Sequence, residues 1–193
     1  MSEVIIKCKK GRVQRAKTLN IGCSIKVMPD ALNVDIVDGP GIDIVGDIRD
    51  ILKQGVFRKN QLKKVIAWHV FEHIPDWEQI MRDLWPYCAH RCVIDIRAPY
   101  YNCPGYYNSM DHCRFFNWKP FRSFVHDEFI RDGVSKWEHG QTELMPNKVG
   151  SLIPNINMRM GNPEDKITLR TMASWYIGNI IREVRGTIIV VKK

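Results

Sequence analysis

Runs of apolar residues in this sequence, such as Thr187 to Val191, fall far short of the roughly 20 residues that a membrane-spanning helix requires. In Met1 to Lys10 the lysines follow the apolar residues, and no hydrophobic segment comes behind them, so a secretory leader is not expected and a cytoplasmic location is. The six cysteines (8, 23, 88, 92, 103 and 113) contain no Cys-x-x-Cys pair. Reduced thiols are therefore expected rather than a disulfide framework. A zinc set would have to be gathered from Cys88, Cys92, Cys103 and Cys113 with His90 and His112, and without tight spacing no metal is expected. Repeats and low-complexity tracts are missing. Acid is in deficit too: 21 Asp and Glu against 29 Lys and Arg leave a net charge of +8. The excess gathers in Lys7, Lys9, Lys10, Arg12, Arg15 and Lys17, within and just beyond a basic N-terminal extension over 1–16. Such a run either favours an anionic partner, nucleic acid or a phosphorylated glycan included, or serves as a solvated face. No aromatic residues interleave it, which removes the signature of base stacking.

What is present suits one domain over residues 1–193 with a full core. The most informative stretch runs from Leu19 to Asp47. A short apolar strand ends at the Gly22 turn, a second ends in Asp35, and a third in Asp47. Side by side along one edge of a parallel sheet, these three ends form a nucleoside site. The glycine admits a close backbone approach, Asp35 can bind ribose hydroxyls, and Asp47 can accept from an adenine amino group.

Along the chain, Val4 to Ile6 and Arg12 to Gln14 are expected to form a small hairpin. Strands are expected at 17–22, 31–36, 43–46, 64–69 and 91–97, with a brief helix at 48–55. A helix is expected over 75–88, with Ile80, Met81, Leu84 and Trp85 on one stripe. Residues 98–118 make a long aromatic loop of the kind that covers or builds a site. Residues 119–132 are expected to be helical, with Phe121, Phe124, Val125 and Phe129 inward, followed by a strand over 133–138. An irregular insertion spans 140–165, 167–182 is partly helical, and 186–191 closes the chain as an apolar strand. Strands alternating with helices argue for a three-layer α/β domain with a mainly parallel sheet. Only nine residues, Pro29 among them, separate Gly22 from Leu32, so the first crossover helix is reduced or absent. Without that helix N-terminus a phosphate-free ligand is expected, which weighs against NAD or FAD.

The blocks Leu19-Asn20-Ile21-Gly22-Cys23, Asn33-Val34-Asp35, Gly39 to Asp47 and His69-Val70-Phe71-Glu72-His73 resemble, in order and spacing, a small subgroup of class I S-adenosylmethionine-dependent methyltransferases. Asp111-His112-Cys113-Arg114-Phe115-Phe116 is similar to that subgroup's Asp-x-x-His-x-Arg-x-Phe loop in compressed form. The likeness is good to about Gly133 and poor from there to Arg185. It implies a Rossmann-like sheet of the seven-stranded type whose last strand is antiparallel, and S-adenosylmethionine as cofactor. By resemblance, Ile21, Gly22 and Cys23 line the methionine part. Asp35 binds the ribose, Asp47 and Ile48 meet the adenine, and His69 lies beside the transferred methyl. Two departures stand out: Ser24 replaces a glycine, and the segment Leu84 to His90 lacks a Pro-Gly-Gly turn.

Methyl transfer is an in-line displacement that needs alignment in a water-poor site, with a base where the acceptor is a hydroxyl. His112 is the candidate base and Asp111 its orienting partner. Tyr100, Tyr101, Tyr106, Tyr107 and Phe115 either cover the acceptor or pack the loop. The leading expectation is a small-molecule or glycan methyltransferase. A non-catalytic binding or structural protein of the same fold is the first alternative. A nucleic-acid methyltransferase is the second, weakened by the absence of an Asn/Asp-Pro-Pro-Tyr/Phe motif.

Overall fold

The computed structural model describes residues 3–117, 119–147, 150–152, 157–159, 166–168, 173 and 181–192. In chain order the elements are β1 (Ile5–Ile6), α1 (Lys10–Arg15), β2 (Thr18–Ile21), β3 (Leu32–Asp35), β4 (Ile44–Val45), α2 (Ile48–Lys53), β5 (Leu62–Trp68), α3 (Trp77–Leu84), β6 (Cys88–Pro99), α4 (Pro104–Tyr107), α5 (Pro120–Asp132), β7 (Trp137–Pro146), β8 (Asn157–Arg159), β9 (Lys166–Thr168) and β10 (Ile181–Val190). Single-turn 3-10 helices stand at Phe71–His73 and Gly150–Leu152.

Eight strands form one sheet in the order β1-β4-β3-β2-β5-β6-β10-β7, and β8 pairs with β9 separately. The pairs β3/β4, β2/β3, β2/β5 and β5/β6 are parallel. Strand β10 is antiparallel to both β6 and β7, and β1 is antiparallel to β4. The expected α/β sheet, mainly parallel with an antiparallel last strand, is thus observed, with eight strands in place of the expected seven-stranded type. Register explains the core. Leu19 pairs with Leu32 and Val65, Ile21 with Val34 and Ala67, and Val65 and Ala67 continue to Ile94 and Ile96. All are buried in one apolar cluster with Ile51 of α2, Ile80, Met81 and Leu84 of α3, and Phe121 and Phe124 of α5. Gly186 of β10 fits beneath α5, because a Cβ there would stand 2.3 Å from the Phe121 ring.

Two crossovers lack helices. Between β2 and β3 the chain passes through turns, as the nine-residue spacing requires, and between β3 and β4 it does the same. A buried amide network stands in their place. The Asn33 side chain pairs with both backbone groups of Met28, accepting from its N–H and donating to its carbonyl, each at 2.9 Å. Asn20 donates to Asn33 Oδ1 and to the Lys26 carbonyl. Asp43 accepts from the Asn33 N–H and is gripped by two nitrogens of the Arg12 guanidinium.

Several local expectations are corrected. Residues 10–15 are helical instead of closing a hairpin: Gln61 donates to the Val13 and Ala16 carbonyls, burying Val13, while β1 takes the free edge of β4. The buried stripe of α3 is Trp77, Ile80, Met81 and Leu84, and Trp85 lies past its end. On α5 the inward positions are Phe121, Phe124 and Glu128, the last paired to Arg82 and Arg131, so Phe129 turns outward. Gly133 caps that helix in the left-handed region (φ 65°), and β7 starts only at Trp137. Residues 140–146, expected to be irregular, complete β7, and 167–168 belong to β9 rather than a helix. The rest of the 153–180 readings lie largely outside the described residues. No helix among the described residues is long and apolar enough to cross a membrane.

Candidate functional site

The carboxyl ends of β4, β3, β2 and β5 open onto a cleft of about 390 Å³, within the range of small-molecule sites. Its walls include Ile21, Gly22, Asp35, Asp47, Ile48, His69 and Asp111, all expected at the site, together with Ser24, Ile36, Arg49, Val70 and His73. Two expected residues are not in the wall. The Cys23 side chain is buried in the core, where desolvation pushes its thiol up to about 11. His112 stands one ring removed, its centroid 4.7 Å from that of His73.

Gly22 sits at φ +59°, and a Cβ there would fall 2.6 Å from Val70 Cγ2. The glycine is therefore required by the neighbouring turn after β5, which packs against it. Ser24 adopts φ 44°, a left-handed conformation that serine tolerates poorly, and its side chain is exposed. What the turn delivers is its backbone: Ser24 N–H donates to Asp35 Oδ2 at 2.7 Å, and Val37 N–H donates to Oδ1 at 2.9 Å. Each Asp35 oxygen keeps lone-pair capacity for a further donor. The half-exposed carboxylate is thus aimed by two backbone amides and still has acceptor sites to offer.

Asp47 is more committed. It caps α2 by accepting from the Arg49 N–H at 2.8 Å, and the Arg49 side chain grips both carboxylate oxygens. The guanidinium beside Asp47 holds its carboxyl below the usual range. Ile36, at 67% exposure, and buried Ile48 add apolar surface to the cleft.

His69, the first residue after β5, has φ 58°. Its Nε2 lies 2.8 Å from Glu183 Oε2 and its Nδ1 3.4 Å from Glu72 Oε1. The bond to Glu183, helped by Glu72, outweighs burial and raises the imidazole to about 9. Burial pushes the Glu183 carboxyl up, but the bonds from His69 and Arg185 overcome it and hold it down to about 2. His69 is consequently an imidazolium at neutral pH. It can orient a group by charge but cannot accept a proton there. Glu183 was not foreseeable: 114 positions separate it from His69, and only the β6/β10 pairing brings them together. Asn20 and Asn33 were also missed, although an amide in the middle of each of two apolar strands is a signal in itself.

The expected His112–Asp111 pair is not formed. Asp111 Oδ2 lies 2.9 Å from His73 Nδ1, and its carboxyl is held below the usual range chiefly by a bond from the Ser109 hydroxyl. His112 turns its Nδ1 to the Tyr106 carbonyl at 2.8 Å, while the Tyr106 hydroxyl donates to the His112 carbonyl. The aromatic loop divides into two parts. Tyr100 and Tyr106 are buried, the latter stacked on Phe115 at 4.7 Å, whereas Tyr107 and Phe115 keep large exposed surfaces. All six cysteines are free. In the basic segment, Arg12 is committed to Asp43 and Lys7 to Asp38.

No protein-family model and no curated protein sequence matches this chain. Solved structures do. An S-adenosylmethionine-dependent methyltransferase from Archaeoglobus fulgidus superposes with a TM-score of 0.63 at 12% identity, over 91% of this chain and 88% of that one. A Haloferax volcanii chain solved in complex with the Trm112 methyltransferase activator gives 0.52 at 12% identity, over 94% and 85%. Phosphoethanolamine N-methyltransferase 2 from Haemonchus contortus, solved with phosphomonomethylethanolamine and S-adenosylhomocysteine, gives 0.52 at 10% identity, over 93% of this chain and 49% of that one. With its strand order, parallel centre and antiparallel close, the chain has the fold of the class I S-adenosylmethionine-dependent methyltransferases.

Proposed function

We propose that this protein is an S-adenosylmethionine-dependent methyltransferase that acts on a small-molecule or glycan acceptor. The observation that carries the reading is the Asp35 carboxylate lining the cleft, held by the Ser24 and Val37 amides with acceptor sites to spare. That arrangement suits two vicinal ribose hydroxyls. Ile36 and Ile48 suit the faces of an adenine, and the Gly22 turn leaves backbone rather than side chain toward the methionine part. When bound, S-adenosylmethionine supplies an electrophilic methyl on sulfur. The protein's own part is to hold the ribose through Asp35, to set charge beside the reacting centre through His69, and to exclude water. The His69 imidazolium is balanced by Glu72 and Glu183, so it does not oppose a neighbouring sulfonium as a bare charge would. The Haemonchus structure holds phosphomonomethylethanolamine beside S-adenosylhomocysteine, which favours a small acceptor by analogy of fold only.

Calorimetric titration with S-adenosylmethionine tests the reading. Saturable binding is expected, and Asp35→Ala is expected to weaken it by about 30-fold or more, the loss of two charge-assisted hydrogen bonds. Absence of binding at millimolar cofactor would refute the proposal. A second reading, a binding protein that has kept the fold without transfer, is favoured by Ser24 in a left-handed turn and by Asp47 being tied to Arg49. It predicts cofactor binding without methyl transfer to any acceptor tried. Nucleic acid as acceptor is weakened by the internal pairing of Arg12 and Lys7, and retention on nucleic acid that does not change with salt would dismiss it.

A further inference from the structure

Beside the cleft, where the turn after β5 meets the aromatic loop, three side chains converge without an explained purpose. Glu72 is 1% exposed, and neither carboxylate oxygen makes a hydrogen bond. His69 Nδ1 approaches Oε1 to 3.4 Å without hydrogen-bond alignment, and the Nε2 of the same ring is bonded to Glu183. Burial of this carboxyl group is therefore only partly compensated by His69, and a further cation would complete it. One donor atom each from Glu72, His73 and His112 lies within 4.8 Å of the other two. Among the described residues no other group of three such side chains meets this way.

We infer that Glu72, His73 and His112 form a binding site for a divalent transition-metal ion of the zinc class. Two imidazoles with one carboxylate is a donor set that such ions take, leaving an open position for water or an exogenous oxygen. Metal–donor bonds of about 2.1 Å in tetrahedral geometry place donors roughly 3.4 Å apart, so the three need only close in by side-chain rotation. Two features show preparation for this. His112 Nδ1 faces the Tyr106 carbonyl, so the ring donates there and keeps its Nε2 lone pair, the way a ligating histidine is oriented. The Cys113 and Arg114 amides both donate to the Glu72 carbonyl, at 2.8 and 3.1 Å, stitching the His112 loop to the turn that bears Glu72 and His73. Asp111, 2.9 Å from His73 Nδ1, adds the second negative charge that balances a dication.

His73 and Asp111 also line the cleft, so the site adjoins it. The metal site itself needs no cofactor. Only its use, holding an acceptor oxygen beside the transferred methyl, rests on the methyltransferase reading.

The test is calorimetric titration of the full chain, freed of metal by chelator, with Zn²⁺ and without S-adenosylmethionine. One equivalent is expected to bind, and His112→Asn and Glu72→Gln are each expected to weaken it at least about tenfold. Cys113→Ser, the exposed thiol next to His112, should change nothing. Co²⁺ in place of Zn²⁺ should give visible d–d bands without a thiolate charge-transfer band. Because Glu72 is buried, circular dichroism checks that its variant folds, and His112→Asn on the loop decides the matter alone if it does not. Lack of saturable Zn²⁺ binding, binding indifferent to His112→Asn, or a thiolate band removed by Cys113→Ser would each overturn the site. Zinc binding in a chain that fails to bind S-adenosylmethionine would uphold this site while refuting the proposed function.

Discussion

The crossover from β2 to β3 and the crossover from β5 to β6 solve the same problem by opposite means. Leaving β5, the chain builds α3 and buries Trp77, Ile80, Met81 and Leu84, positions spaced three and four apart on one face. Leaving β2, it builds no helix, and the connection is held by Asn20, Asn33, Asp43 and Arg12. The apolar solution is non-directional and tolerates small shifts. The amide solution is directional: Asn33 answers both backbone groups of Met28, and losing it leaves buried partners without bonds. The directional crossover is also the one that carries the Ser24 amide to Asp35, so the fold spends its geometric precision where a ligand is proposed.

This contrast can be broken or sharpened by experiment. Leu84→Ala, at a position with no exposure, is expected to cost about 3–4 kcal/mol by denaturant unfolding while cofactor affinity stays unchanged. Asn33→Ala is expected to cost about 2 kcal/mol and, unlike Leu84→Ala, also to weaken S-adenosylmethionine binding, because it releases the loop that aims the Asp35 carboxylate. A stability loss for Asn33→Ala below about 0.5 kcal/mol would mean that the network is not what holds this crossover.

The pH response separates the two regions further. His69, at the start of the β5-to-β6 crossover, has its pKa raised from 6.5 to about 9, so the stability from its ion pairs is complete below 6.5 and fades as pH rises through about 9. Glu183, lowered from 4.5 to about 2, contributes fully above 4.5 and fades as pH falls through about 2. The melting temperature is therefore expected to decline between pH 6.5 and 9.5, and His69→Gln is expected to flatten that decline. An unchanged slope in the variant would dissociate His69 from the effect. The smallest expected change has the opposite sign. Ser24→Gly relieves a left-handed serine and should stabilise by about 0.5–1 kcal/mol with cofactor affinity preserved, and a destabilised variant would show that the serine is not strained.

Much of this was legible in the residues. The missing first crossover helix followed from nine residues between Gly22 and Leu32, too few for a helical crossover. The adjacency of the Gly22, Asp35 and Asp47 tips followed from three short apolar strands in quick succession, and β4, β3 and β2 are neighbours in the sheet. Elsewhere local signals misled. Val4 to Ile6 and Arg12 to Gln14 read as a hairpin, but residues 10–15 are helical, with the Gln61 amide reaching the Val13 and Ala16 carbonyls. Phe129 read as core, but the paired Glu128 took the inward place. His112 and Asp111 are neighbours in sequence and find different partners in space, Tyr106 and His73.

By itself the sequence determined the run of strands, the shortened crossover and the acids at the strand tips, because these depend on spacing and on apolar periodicity, which are local. Tertiary structure alone decided the ionisation of His69, the purpose of Gly22 and the meeting of Glu72, His73 and His112. Each of these depends on a group brought from elsewhere: Glu183 from across the β6/β10 pairing, Val70 from the turn after β5, and the aromatic loop folded back onto the Glu72 carbonyl. Electrostatics and close packing act through space over a few ångströms, and sequence separation carries no information about such distances.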